Sequence, residues 1–492
     1  MKKFIISIDQ GTSSTRVILF DNKAKLIFKS QYEIKQYFPK NGWVEHNPNE
    51  IWSTTLKALK QVIKRANKLK GKIVSIGITN QRETTILWNK KTGKPVYNAI
   101  VWQDRRTQNY CKALKKKFFE ENFRKKTGLF IDPYFSATKI KWILNNTKIA
   151  KKLLKSNDLL FGTVDTFLVW KLTAGKKHVT EATNASRTML YNINNNKWDF
   201  DILNKLKIPK KILPEVLSSV DDFGFTDKKI LGFKLPISAV LGDQQAAAVG
   251  QGCFEKGSIK STYGTGAFII MNTGSKRINS KNKLLTTICY KLGNKNTYAL
   301  EGSIFIAGAA VQWLRDKIKL INNANDSEKI AKSTSNNQNV YVVPAFNGVG
   351  APYWRPDARG LITGLTRDSD WKILVRATVE SVAYQSNDLF NSMKKDGLKT
   401  KIIKIDGGMT VNNWFSQFLS DIINMQVVRP KILETTALGV AFFAGYKSGL
   451  FKSFSEIKKL LKKDKDFKPK INNAARNKLI KGWNLAIKKT LI

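Results

Sequence analysis

The segment Asp9-Gln10-Gly11-Thr12-Ser13-Ser14-Thr15-Arg16 gathers a carboxylate, a glycine, consecutive hydroxyl side chains and a guanidinium into one short run. A tight glycine-containing turn exposes backbone N–H groups, and these together with hydroxyl donors can wrap a phosphate. The aspartate at its head is a carboxylate to which a hydrated Mg²⁺ can bridge. The same residue types suit an ordinary β-turn, so the segment alone is open to both readings. Tyr263-Gly264-Thr265-Gly266 is a second turn of this type, and Asp406-Gly407-Gly408 is a third glycine turn. Each of these two is common by chance. Their order says more: one phosphate clamp in each half of the chain, then a glycine turn that could admit adenosine.

These turns need elements to hold them. Apolar patterning predicts a strand over residues 4–8, a hairpin partner over 16–20 and a further strand over 25–28. A helix over 50–68 and a strand over 73–79 follow, the strand ending in Asn80-Gln81-Arg82-Glu83. The second half replays the order, with strands over 258–263 and 267–271, a helix over 371–395, a strand over 401–405 and a helix from Asn412. Alternating strands and helices give an α/β class. The repeated order predicts two duplicated domains of the ribonuclease-H-like, actin-like ATPase type, with a catalytic cleft between them. The glycine-rich stretch 250–257 sets the boundary, giving an N-terminal domain over 1–250 and a C-terminal domain over 251–492.

Several chemistries are excluded. No Walker A sequence occurs, so the chain is not a P-loop kinase. Asp222-Phe223-Gly224 imitates a protein-kinase motif, but neither histidine stands in an HRD sequence and no glycine-rich loop precedes it. With three widely spaced cysteines (Cys111, Cys253, Cys289) and only His46 and His178, a zinc site or a His-activated nucleophile is not expected. The cysteines form no disulfide framework, which points to a reducing cytoplasm. The basic opening Met1-Lys2-Lys3 resembles a signal peptide, but Asp9 and Gln10 cut its apolar run short. The net charge of +48 suits a nucleic-acid or anionic-membrane binder. The lysines are spread along the whole chain rather than gathered in one arm, so solvated surface is the preferred reading, with no nucleic-acid and no membrane partner.

Further blocks add to the turns: Gly42-Trp43-Val44-Glu45-His46, Gly77-Ile78-Thr79-Asn80-Gln81-Arg82-Glu83-Thr84, Phe161-Gly162-Thr163-Val164-Asp165, Thr183-Asn184-Ala185-Ser186-Arg187-Thr188, Gly242-Asp243-Gln244-Gln245 and Val342-Val343-Pro344-Ala345-Phe346. With these the chain resembles the FGGY carbohydrate kinases, and within them the branch whose acceptor is glycerol. Two family signatures are present, from Tyr134 through Lys139 to Trp142 and from Gly360 through Gly364 to Glu380. The likeness runs from residue 4 to residue 449, with a tail to Trp483.

The resemblance implies transfer of the γ-phosphoryl group of ATP, with Mg²⁺, to glycerol, giving sn-glycerol 3-phosphate. It implies that Asp243 is the general base, and that Asp9 and Asp243 hold the metal through water. A carboxylate suits the base because the hydroxyl proton leaves as oxygen nears phosphorus, so positioning outweighs basicity. Arg82, Glu83, Tyr134 and Gln244 would contact the glycerol hydroxyls, and Trp102 and Phe268 would pack against its carbons. Thr12, Ser13, Ser14, Arg16 and Thr265 would hold the phosphates. Gly308, Gln312, Gly408 and Asn412 would line the adenosine site. A homodimer or homotetramer is implied as well.

The chain departs from some relatives at two places. Lys229-Ile230-Leu231-Gly232-Phe233-Lys234 lacks the glycine pair and arginine of a sugar-bisphosphate regulatory loop, and Pro469-Lys470-Ile471-Asn472-Asn473-Ala474-Ala475-Arg476 lacks the acidic residue of a partner contact. Neither regulatory function is carried over. Two other readings stand beside the main one: a pentulose or another polyol as acceptor, and an anion-binding protein that the charge would explain.

Overall fold

The protein is described here by a computed structural model covering residues 2–346, 348–397 and 399–492. β1 (Lys3–Gln10) is buried along all but its first residue, as its near-continuous apolar run requires of a central strand. β2 (Ser14–Asp21) and β3 (Leu26–Glu33) return beside it antiparallel. α1 (Pro48–Lys68) begins where the Asn47 side chain accepts from the Asn49 N–H and proline occupies the first turn. It buries Ile51, Thr55, Leu59 and Val62, one stripe at helical spacing. β4 (Lys72–Asn80) then pairs parallel with β1. A long insert carries α2 (Ser136–Asn146), after which β5 (Ile237–Gly242) pairs parallel with β4. The sheet order is β5-β4-β1-β2-β3.

α3 (Asp243–Gly250) leads directly from β5. The second sheet follows: β6 (Ile259–Tyr263), β7 (Ala267–Gly274), β8 (Leu285–Leu292), β9 (Lys295–Ile304), β10 (Ile402–Asp406), β11 (Gln426–Pro430) and β12 (Lys463–Phe467), in the order β8-β9-β7-β6-β10-β11-β12. Between β9 and β10 lie α4 (Gly308–Asp316) and α5 (Trp371–Lys395). α6 (Asn413–Ile423) precedes β11, and α7 (Thr435–Lys447) follows it. Read as β11-β10-β6-β7-β9, the second sheet repeats the parallel and antiparallel pairings of the first. The expected duplication is therefore present in strand order and direction. β5 of the first sheet and β8, β9, β11 and β12 of the second were missing from the expectation. β9 carries Glu301 and Gly302 among its apolar residues and β12 is largely charged, so neither shows a clean strand pattern.

The halves interlock. α7, late in the chain, packs on β1, β4 and β5 of the first sheet and crosses α3, while α3 also touches β6 and β7. The crossing brings backbone onto backbone: a Cβ at Gly250 would sit 1.9 Å from the Thr435 carbonyl oxygen, and one at Gly439 would sit 1.8 Å from that of Ala246. Glycine alone fits there. α7 is accordingly buried nearly all round, as a helix between two layers must be. Among the described residues no helix is long and apolar enough to cross a membrane.

Candidate active site

The β1–β2 hairpin holds the first glycine turn. Its turn is shorter than the sequence suggests, because β1 runs on to Gln10, β2 starts at Ser14, and the Gly11 N–H closes onto the Ser14 carbonyl at 3.0 Å. Asp9 thus lies within the strand, opposite Arg16 in register. Arg16 Nη1 is 3.8 Å from Asp9 Oδ2 and 2.8 Å from Glu434 Oε2, just before α7. Burial pushes the Asp9 carboxyl up to about 6, opposed by Arg16 and reinforced by Glu434 and Asp243.

The β6–β7 hairpin holds the second. The Gly264 N–H donates to Gly266 O at 2.9 Å, while the Ala307 and Gly308 N–H groups donate to the Thr265 and Gly264 carbonyls, each at 2.9 Å. A Cβ on Gly308 would stand 2.6 Å from the Gly264 oxygen, so this glycine seats α4 on the turn. Gln312 is exposed on α4. Gly407 has φ +93°, and a Cβ there would meet the Tyr263 backbone, whereas a Cβ at Gly408 would meet nothing within 4 Å. Asn412 caps α6, its Oδ1 accepting from the Phe415 N–H at 2.8 Å.

A cavity of about 240 Å³ opens between the two turns. Thr12, Ser13, Arg16, Arg82 and Glu83 line it from the first half together with Trp102, Tyr134, Asp243 and Gln244, and Thr265 and Phe268 line it from the second. Asp9, Ser14, Gly308, Gln312, Gly408 and Asn412 are not part of this lining. Trp102 forms an aromatic wall edge-on to Tyr134 and Phe268, with ring centroids 5.8 and 5.7 Å away. Its Nε1 donates to Thr12 Oγ1 at 2.9 Å, tying the wall to the first turn.

The charges behind the cavity form a buried network across the halves. Arg82 Nη1 and Nη2 bond Glu301 Oε2 and Oε1 at 2.7 and 3.0 Å, and Nη1 also reaches Gln245 Oε1 at 3.1 Å. Arg82 Nε has no hydrogen-bond partner and stands 3.2 Å from Asp243 Oδ1. Arg187 Nε bonds Glu83 Oε1 at 2.6 Å, and its Nη2 is 3.1 Å from Glu301 Oε1. Burial opposes the charge on Arg82, yet Glu301, Glu83 and Asp243 outweigh it and its pKa rises well above the usual value. Burial raises Glu301 too, but Arg187 and Arg82 outweigh it and its carboxyl falls below the usual value. At Glu83 burial wins and the carboxyl is raised. The backbone here is strained: the Thr84 N–H bonds the Arg82 carbonyl at 2.7 Å around Glu83, which has φ +61°. Such a turn costs about 1–3 kcal/mol and persists where its surroundings over-determine it.

The comparisons decide the family. The chain matches the N-terminal domain of the FGGY family of carbohydrate kinases over residues 4–250 and the C-terminal domain over 259–448. The chain belongs to the FGGY family of carbohydrate kinases. This FGGY kinase is 53% identical to a glycerol kinase of Coxiella burnetii over 492 residues, covering 100% of this chain and 98% of that one. It is 52% identical to a glycerol kinase of Sinorhizobium fredii with both chains fully covered. Among solved structures, Plasmodium falciparum glycerol kinase with ADP superposes with a TM-score of 0.92 at 39% identity, covering 100% of this chain and 99% of that one. Gluconate kinase from Lactobacillus acidophilus, 23% identical, shares the fold with a TM-score of 0.88 over 100% of this chain and 99% of that one.

Sequence reasoning missed four side chains that organise the FGGY kinase pocket. Glu301 and Gln245 hold Arg82, and Arg187 holds Glu83. Lys260, fully buried on β6, donates to Gln244 Oε1, which leaves the amide NH₂ of Gln244 as its free donor. Burial lowers the Lys260 pKa, while Asp406 and Asp243 support its charge. Arg187 and Gln245 stand inside blocks that carried the resemblance. Glu301, a lone carboxylate in a strand, gave no comparable signal.

Proposed function

We propose that this kinase moves the γ-phosphoryl group of ATP to a terminal hydroxyl of glycerol, yielding sn-glycerol 3-phosphate. The observation that carries the reading is one cavity bounded by both hairpin turns, the Arg82–Glu83 pair, Asp243 and an aromatic wall. A small triol needs donors, an acceptor and an apolar face, and these residues supply all three. Asp243 takes the proton from the attacking hydroxyl, while Arg82, Glu83, Tyr134 and Gln244 hold glycerol against Trp102 and Phe268. A base placed in this way contributes roughly 10²–10⁴ in rate.

Thr12, Ser13 and Arg16 face the triphosphate from one side and Thr265 from the other, while Ser14 lies buried behind the first turn, its Oγ accepting from Gln31 Nε2. α4, whose N-terminus rests on the second turn, adds the positive end of its dipole. Gly308, Gln312, Gly408 and Asn412 mark the adenosine side, where the open space beside Gly408 suits a flat base. Asp9 and Asp243 share one electrostatic field, since Asp243 helps raise Asp9. A carboxylate pair with phosphate oxygens and water is the usual setting for Mg²⁺. Mg²⁺ held there would neutralise charge on the β- and γ-phosphates.

The two-domain division at residue 250, a cytoplasmic setting and an assembly of two or four copies belong to the same proposal. The three free, buried cysteines support a reducing compartment. Phosphorus NMR of the product tests the chemistry: a phosphomonoester on a terminal glycerol carbon is expected, and inorganic phosphate as the sole product would contradict it.

A further inference from the structure

Lys139 is fully buried in α2, within the first family signature, and the chemistry above does not use it. Its Nζ donates to the Tyr134 carbonyl at 2.7 Å and to the Glu83 carbonyl at 3.4 Å. Glu83, Asp104, Asp132 and Arg105 are the charges that bear on it, and burial pushes its ammonium down to about 7. A buried cation spent on two carbonyls is costly and calls for a reason. Those carbonyls belong to two of the pocket's polar residues. The Glu83 carbonyl also accepts from Ser136 Oγ at 3.0 Å and Thr85 Oγ1 at 3.1 Å, so three side chains converge on the centre of the strained turn.

We infer that Lys139 is a positioning residue for the acceptor: it joins Glu83 and Tyr134 through their backbone and holds the Arg82–Glu83 turn in its strained form. Without it, the turn relaxes and the carboxylate and phenol that grip the acceptor lose their common frame. Ser136, on the same helix end, acts in the same direction on Glu83 alone. The inference rests on the reading of this cavity as the acceptor pocket. It places the signature lysine with acceptor affinity and not with ATP.

The test compares unmodified enzyme, Lys139→Met and Ser136→Ala by steady-state ADP release and by melting temperature. Lys139→Met keeps an unbranched stem and removes the donor. Its KM for glycerol is expected to rise about tenfold, the factor that ~1.4 kcal/mol of lost binding carries. Its KM for ATP is expected to stay unchanged, a split that general loosening would not produce. Ser136→Ala is expected to raise the glycerol KM by a smaller factor with ATP again unaffected. A folded Lys139→Met with an unchanged glycerol KM, or one in which both KM values rise together, overturns the inference. If Lys139→Met does not fold, Ser136→Ala decides, and an unchanged glycerol KM there overturns it. Unmodified enzyme whose ADP release ignores glycerol overturns the functional reading itself, which separates the two failures.

Discussion

Arg82 Nε stands 3.2 Å from Asp243 Oδ1 with no hydrogen bond made, while both terminal nitrogens of Arg82 are held by Glu301 from the opposite half of the chain. The guanidinium is therefore fixed by one domain's sheet and aimed at the other's carboxylate. An acceptor hydroxyl that reaches the exposed side of this pair would meet a donor and a base side by side.

Asp243→Asn separates these roles. The amide keeps the shape of the pocket but cannot take a proton, so turnover should fall at least about a hundredfold. Glycerol binding, followed by calorimetry, should survive. Near-normal turnover would refute the assignment of the base.

Glu301→Ala leaves Arg82 and Arg187 buried without their shared carboxylate. Breaking a buried ion pair from one side costs about 3–5 kcal/mol. Urea denaturation should show a loss of that order, together with a raised KM for glycerol. A stable variant with normal kinetics would mean that the cross-domain clamp is idle.

Gly439→Ala puts a methyl where the Ala246 carbonyl stands, 1.8 Å from the ideal Cβ position. Overpacking at such a contact costs about 1–3 kcal/mol, so the melting temperature should drop. Because the α3–α7 crossing joins the two halves and Asp243 opens α3, turnover should fall as well. Unaltered stability would contradict the close helix crossing.

Asp388 on α5 is buried and accepts from Trp483 Nε1 at 2.9 Å, and burial pushes its carboxyl from 3.8 up to about 7. The folded state therefore favours the protonated form. Its stabilising effect is complete below the unfolded value near 3.8 and is lost as pH rises through about 7. Asp388→Asn removes this dependence, so its melting temperature relative to the unmodified protein should be more favourable at alkaline than at acidic pH. A pH-independent difference would contradict the buried-acid account.

The strands bearing the turns were legible because β1 and β4 are short apolar runs ending in polar residues, while β6, largely polar, is marked by the glycine turn that follows it; α5 was legible to the residue because Asp370 caps its start. The cavity residues were legible through local blocks such as Gln81-Arg82-Glu83 and Gly242-Asp243-Gln244. What was not legible is long-range: Glu301 meets Arg82 from 219 residues away, and α7 crosses α3 from the far end of the chain. No local periodicity encodes such partners. The strain at Glu83 was hidden for another reason, since a positive φ on a residue other than glycine is imposed by its neighbours and leaves no mark in composition.

The central claim is that one cavity joins ATP to glycerol through Asp243. The most direct measurement is ADP release by the purified chain with MgATP over glycerol, dihydroxyacetone, xylulose and gluconate. Release strongly stimulated by glycerol, weaker with the other acceptors and abolished by Asp243→Asn is the expected result. Release that proceeds equally without glycerol, or that prefers xylulose or gluconate, would contradict it.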